Sequence, residues 1–561
     1  MKPVISIGTQ SFEALRQNHS FYVDKTLLIQ EWWENQDAVT LITRPRRFGK
    51  TLNLNTLECF FSNQYAGRND LFEGLAIWEE EKYHSLQGRF PVISLSFSTV
   101  KGRNFKTARD GIMQVIVNLY SKFHFLLEGN SLNPMMKDFF GYVRDDMSDS
   151  AAGMSLHRLS ACLNSYYGEQ VIILLDEYDT PLQEAYVNGY WEQMGEFIRI
   201  LFNATFKTNP YMKRAFLTGI TRVSKESIFS DLNNLTVVTT TSEKYRTRFG
   251  FTEKEVFDAL DALNLSAEKE QVKAWYDGFV FGSQRDIYNP WSITGFLEDK
   301  VYKPYWANTS SNNLVSVLIR EGQPDIKITM EDLLDGKSLT TEIDEEIVFH
   351  QLRRKHGAVW SLLLAGGYLR VEDRTFNPET GRFSYVLKLT NREVSISFRE
   401  MIRDWFAGDH VPYNDFLKAL LAGDVKAMNR YMNQVALETF SSFDSGKKPS
   451  PEAAPERFYH GFVLGLMVEL ADKYRITSNR ESGFGRYDVM AEPLNATAPA
   501  FVLEFKVRDP EEESSLEDTV NAALTQIREK AYDTELKARG IEEERIRHYG
   551  FAFEGKRVLI G

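Results

Sequence analysis

Ala38–Thr56 reads AVTLITRPRRFGKTLNLNT. Val39, Leu41, Ile42 and Thr43 form an apolar, β-branched run, the pattern of a buried strand. Arg-Pro-Arg-Arg-Phe-Gly follows, then Lys50 and Thr51. Leu52, Leu54, Leu57, Phe60 and Phe61 then recur at helical spacing. Strand, tight loop, Gly-Lys-Thr and helix make the context of a phosphate-binding loop, in which backbone N–H groups at a helix N-terminus favour an anion. Gly49, Lys50 and Thr51 are thereby candidate nucleotide ligands. Lys50 is placed to reach the β- and γ-phosphates and the Thr51 hydroxyl to ligate Mg²⁺. The pattern G-x-x-x-x-G-K-[ST] asks for glycine where this chain has Arg44, and Pro45 removes one N–H donor.

Working outward, Val171–Asp179 reads VIILLDEYD. Five apolar residues ending in two carboxylates fit a central parallel strand, whose carboxyl end is where ligands sit. Asp176 is the expected Mg²⁺ ligand of a Walker B strand and Glu177 the expected general base. A charged turn after an ordinary strand is the plain alternative. Residues 91–97 (PVISLSF) and 214–220 (RAFLTGI) supply further strands, with helical patterns near 105–127, 154–167 and 190–207. Alternating strands and helices imply a parallel sheet with helices on both faces. Thr218, near the end of the last strand, is a candidate sensor of the γ-phosphate. Arg222 is either a stabiliser of transition-state charge or a surface arginine. In the lead-in, residues 1–37, where FYVDKTLLIQEWW reads as a strand-turn feeding a helix, Phe12 or Tyr22 either stacks on adenine or belongs to the core.

The chain has 561 residues, which suits two to four domains. With 43% hydrophobic and 26% charged residues it has a globular composition. A net charge of -12 argues against general adhesion to nucleic acid and leaves local patches open. Cys59 and Cys162 are too few for a disulfide framework, which predicts a reducing, cytoplasmic setting. MKPVISIGTQ lacks a signal-peptide core, and no run approaches the roughly 18 apolar residues of a membrane span, so no membrane partner is expected.

Residues 246–340 read as a small helical lid, with Gly, Asn and Pro marking a turn near 277–290. In residues 341–441, VWSLLLAGGYL leads to YLRVEDRTF and FSYVLKLTN around a Pro-Glu-Thr-Gly turn, which predicts a winged-helix-like and helical module. Residues 442–455 read as a linker. From 456 onward a helix (ERFYHGFVLGLMVELADKYR) precedes GRYDV, ending near Asp488, and the strand AFVLEFKV, carrying Glu504 and Lys506. Period two puts Glu504 and Lys506 on one face. Asp, a gap, then Glu-x-Lys is the PD-(D/E)XK nuclease pattern. Two neighbouring carboxylates call for a divalent metal, Mg²⁺ or Mn²⁺, with Glu456 as a third candidate ligand. Lys506 orients the attacking water or stabilises charge. Gln526 and Tyr532 lie on the next helix, with Gln526 in reach of the site. From Pro451 to Gly561, 15 Lys and Arg face 21 Asp and Glu, a net of -6, so this segment alone is a poor match for duplex nucleic acid.

Taken together, YVDKT…ITRPRRFGKT, LLDEYDTP, YNPWSI and SNRESGFGRYD…EFK resemble bacterial AAA-ATPase-like proteins fused to a C-terminal PD-(D/E)XK nuclease-like domain. The order of strands suits the AAA+/ASCE branch of P-loop NTPases. The resemblance implies ATP binding and a restriction-endonuclease-like α/β fold at the C-terminus. It also implies that arginine at position 44 belongs to the loop, with Arg46 and Arg47 supplying donors that glycine N–H groups supply elsewhere. DNA or RNA, a protein partner and a second copy of the chain are the partners this leaves open. The two function classes are an ATP-regulated, metal-dependent nuclease and a nucleotide-gated scaffold whose nuclease fold is a binding surface.

Overall fold

Parallel strands covered on both faces read as near-continuous apolar runs. In the computed structural model of this chain, β1 (Val39–Thr43) and β3 (Val171–Asp176) are buried at every residue. With β2 (Val92–Ser96), β4 (Met212–Gly219) and β5 (Leu235–Val238) they form a parallel sheet in the order β2-β3-β4-β1-β5. The structure describes residues 4–128, 131–221, 229, 232–306, 319, 324–344, 356–406, 414–439, 463, 466–467, 470, 473–478, 481–482, 485–486, 488–495 and 498–561. Arg222, Glu456 and the 442–455 linker lie outside them.

The strand order matters for chemistry. β4 lies between β1 and β3, with Ile42 opposite Thr218 and Leu175 opposite Leu217. The loop after β1, the carboxylates after β3 and Thr218 therefore meet at one end of the sheet, the carboxyl end. A helix, α1 (Lys50–Phe61), starts at Lys50, with Gly49 as its N-cap at φ 77°. Glycine takes this left-handed conformation without a Cβ penalty. α1 packs into an aromatic core in which Trp32 meets Phe61 at 5.5 Å and Phe216 at 5.4 Å. Phe12 is fully buried in this core, 5.2 Å from Phe72, so it takes the core alternative rather than a stacking place.

The chain divides into two compact units, Met1–Leu318 with Ser338–Ser395, and Ile319–Lys337 with Ile396–Gly561. In the first unit, the segment expected to form a lid carries helices Glu253–Ala262, Lys269–Tyr276 and Pro290–Asp299. It also carries a three-stranded antiparallel sheet of Phe251–Thr252, Gln284–Tyr288 and Asp277–Phe281. The residues read as a turn near 277–290 are thus mostly a hairpin. Its alternating Phe279 and Phe281 turn inward onto Phe48 of the loop after β1, at 4.7 and 5.4 Å, a partner far away in sequence. The lead-in is tied to this segment: Lys25 Nζ donates to the Thr247 carbonyl at 3.0 Å and to Glu255 at 2.7 Å. Helix His356–Ala365 is followed by the hairpin Leu369–Asn377 and Arg382–Leu389, with Leu339–Glu342 pairing antiparallel to its second strand.

The second unit is layered around strands β6 (Tyr474–Ser478), β7 (Val489–Pro493), β8 (Ala500–Val507), β9 (Ile546–Glu554) and β10 (Arg557–Ile560), in that order. Only β8 and β9 pair parallel. Helix α2 (Leu516–Glu529) covers one face through Val520 against Ala552 and Ile527 against Val502. Helices Asn414–Ala422 and Val425–Thr439, grouped by sequence with the middle module, pack their Phe416, Leu420, Met428 and Met432 into the other face. Asn429 and Asn433, one helical turn apart, each donate to and accept from the backbone of β10, at Ile560 and Val558. They satisfy the polar groups that an edge strand otherwise leaves open.

Candidate functional site

At the carboxyl end of the first sheet, Asp176 is 3% exposed and sits between two hydroxyls. Thr51 Oγ1 donates to its Oδ2 at 2.7 Å, and Thr218 Oγ1 donates to its Oδ1. Lys50 is buried beside them, and its ammonium donates to the Arg44 and Pro45 carbonyls at 2.9 and 2.7 Å. Burial lowers Lys50 to a pKa of about 8, against the opposing pull of Glu177, Asp176 and Asp179. Glu177 has φ 49°, and its N–H donates to Thr218 Oγ1 at 3.3 Å. Burial raises its pKa, with the Lys50 charge opposing. Thr51, Asp176, Lys50, Glu177 and Thr218 are therefore one cluster. Hydroxyl and carboxylate oxygens side by side fit a hard cation such as Mg²⁺.

The arginines of the loop separate. Arg44 is fully buried, its Nη1 donating to the Thr43 and Thr239 carbonyls at 2.9 and 2.6 Å and its Cζ 4.5 Å from the Phe281 ring centroid. Burial lowers it to a pKa of about 9. The side chain in the glycine position is therefore anchored away from the loop, on the Thr239 carbonyl and the Phe281 ring. Arg46 Nη2 lies 3.5 Å from Gln183 Oε1. Arg47 is exposed and lies 4.3 Å over the Trp291 ring. Asn289 caps helix Pro290–Asp299 through Oδ1 and donates from Nδ2 to the Arg46 carbonyl at 3.2 Å. The sequence reading passed over Arg44's anchoring, Asn289 and Asp179. An Asn-Pro pair opening a helix is a signal for the second. For Asp179 the signal is a third carboxylate beside the first two.

In the second unit, Asp488 stands just before β7, and its Oδ2 accepts the Phe505 N–H at 2.8 Å. Val489 pairs with Leu503, so Asp488 is level with Glu504 on β8. Glu504 is 3% exposed and accepts from Gln526 Nε2 on α2, and the same nitrogen lies 3.1 Å from the Tyr532 hydroxyl. Burial first, then the charges of Glu504 and Asp488, push the Tyr532 hydroxyl pKa up. Lys506 follows on the same face of β8, partly buried. Its register partner on β9 is Ala552 and that of Glu504 is Gly550, where α2 packs so closely that a Cβ would lie 2.8 Å from the Val520 carbonyl oxygen. Two carboxylates from adjacent strands form an oxygen donor set that Mg²⁺ or Mn²⁺ fits.

Comparison with known proteins agrees in position. Residues 6–229 match the family model described as predicted AAA-ATPase, and residues 454–561 match that of the PD-(D/E)XK nuclease superfamily. A protein of Azotobacter chroococcum mcd 1, described as "Uncharacterized protein in vnfD 5'region", is 25% identical over 553 residues, 96% of this chain and 94% of its own length. No helix among the described residues is long and apolar enough to cross a membrane. The chain carries an AAA-ATPase-like domain at its N-terminus and a PD-(D/E)XK nuclease-superfamily domain at its C-terminus.

Proposed function

We propose that the N-terminal domain binds ATP with Mg²⁺ through the Arg44–Thr51 loop and hydrolyses it, and that the C-terminal domain is a metal-dependent nuclease under its control. The observation that carries the reading is the Asp176 carboxylate held between Thr51 and Thr218 at the carboxyl end of a parallel sheet. In this reading Lys50 swings from the loop carbonyls to the β- and γ-phosphates. Arg46 and Arg47 add donors. Glu177 takes a proton from the attacking water, a task to which its raised pKa suits it. Thr218 reports the γ-phosphate to Asp176 and Glu177. At the second site Asp488 and Glu504 hold the cation, Lys506 faces the scissile phosphate, and Gln526 orients Glu504. When bound, the cation at each site neutralises phosphate charge.

The test is calorimetry and turnover on the full chain. Lys50→Ala removes charge-assisted bonds worth about 1.5–3 kcal/mol, so ATP binding should weaken by roughly 10- to 150-fold. Glu177→Gln should keep nucleotide and lose about 10²–10⁴-fold in turnover. Unchanged affinity in the first variant rules out the loop. Intact turnover in the second places the base elsewhere. The scaffold reading rests on one observation, the net charge of -6 from Pro451 to Gly561, which works against docking a polyanion.

A further inference from the structure

Asp179 is 1% exposed, and four donors converge on its Oδ2. They are the Ile220 N–H at 3.0 Å, the Thr221 N–H at 2.9 Å, Thr221 Oγ1 at 2.8 Å and Gln183 Nε2 at 2.8 Å. Three of the four come from the chain leaving β4. Asp179 itself belongs to the turn leaving β3. Two neighbouring bonds join the same segments: the Tyr178 N–H donates to the Thr218 carbonyl at 3.0 Å, and the Tyr178 hydroxyl donates to the Thr221 carbonyl at 2.7 Å. Packing closes the joint. A Cβ placed on Gly219 would lie 2.5 Å from the Tyr178 ring and 2.9 Å from Asp179 Oδ1.

Inside this joint Glu177 holds φ 49°, a conformation that residues with a Cβ keep only where the surroundings impose it. Its N–H is fixed on the Thr218 hydroxyl, which also donates to Asp176. None of Asp179's hydrogen bonds goes to Lys50, Thr51 or Asp176. We propose that Asp179 is a positioning residue for the ATP hydrolysis inferred above: it clasps the β3 exit to the β4 exit and thereby fixes Glu177 and Thr218 relative to each other. The inference rests on that reading of the site.

The experiment uses the full chain and compares Asp179→Ala, Asp179→Asn and Thr221→Val with Glu177→Gln. Turnover is measured per bound nucleotide, together with ATP affinity, melting and amide hydrogen exchange. A displacement of about 1 Å costs roughly 10²-fold in rate. Asp179→Ala should lose about that much turnover while ATP affinity holds, and exchange at 176–180 should accelerate. Asp179→Asn keeps a carbonyl oxygen for the two backbone N–H groups and should recover much of the loss. A residue that serves only stability would lower melting and leave turnover per bound nucleotide unchanged, and that result overturns the proposal. Unchanged exchange at 176–180 overturns it as well. If Asp179→Ala does not fold, Thr221→Val carries the test, with a smaller loss in the same direction expected and wild-type turnover overturning the clasp. Intact turnover in Glu177→Gln defeats the ATPase reading instead, and the exchange measurement then decides the clasp by itself.

Discussion

At the scale of single residues, Asp277, the first residue of the strand Asp277–Phe281, links pH to stability. Burial raises its pKa from 3.8 to about 7, and the hydrogen bond and charge of Asp286 push the same way. Glu253 belongs to the same group, and the ligand oxygens of the three lie within 4.8 Å of one another. Lys273 offsets part of this charge through Glu253 and through Asp286 at 3.7 Å. The sign follows from proton counting. Between pH 3.8 and 7 the folded chain binds more protons at Asp277 than the unfolded chain, so stability falls as pH rises through that window. Below the window the deficit is absent, and above it the deficit is complete. Asp277→Asn removes it. The variant's melting temperature should exceed that of wild type by a margin that opens above pH 3.8 and levels off past pH 7, read by calorimetry across a pH series. A constant margin at all pH values would show that Asp277 ionises normally.

At the scale of elements, what could be read in the sequence depended on where the partners lie. β1 and β3 were legible because a parallel strand covered on both faces is a near-continuous apolar, β-branched run. Lys50, Thr51 and Asp176 followed from their places at the ends of those strands. The hairpin Asp277–Phe281 and Gln284–Tyr288 was not legible, because its inward face is set by Phe48, more than 200 positions away. Nor was the pairing of Asn429 and Asn433 with the backbone of β10, since asparagine in a helix carries no signal of an edge strand beside it. Asn289 joins the two cases: its helix cap is local, and its bond to the Arg46 carbonyl is not. An N-cap contributes about 0.5–2 kcal/mol. Asn289→Asp keeps the cap acceptor and loses the amide donor to Arg46, whereas Asn289→Ala loses both. Both variants should raise amide exchange over 44–50, and only Asn289→Ala should also raise it at the start of helix Pro290–Asp299. Equal exchange over 44–50 in wild type and both variants would detach Asn289 from the loop after β1.

At the scale of the whole molecule, charge and metal decide between the two functions. The chain carries -12, and Pro451–Gly561 accounts for -6 of it, so nucleic acid meets a repelling field unless cations intervene. Glu504 is almost completely buried, and Asp488 stands level with it on the neighbouring strand. Paired carboxylates in such a place are stabilised by a cation that binds the folded form alone. Mn²⁺ or Mg²⁺ should therefore raise the melting transition of the second unit in the full chain, by about 2.7 kcal/mol of stability at a metal concentration 100 times Kd. Asp488→Ala should abolish the rise and, with it, phosphodiester cleavage of single- or double-stranded substrates. Glu177→Gln should leave the metal shift untouched, because the two sites belong to different domains. Its effect on cleavage then reports whether nucleotide turnover governs the nuclease. Melting that ignores metal, together with no cleavage in ATP, in ADP or without nucleotide, would assign the C-terminal domain to binding and leave nucleotide turnover as the chain's chemistry.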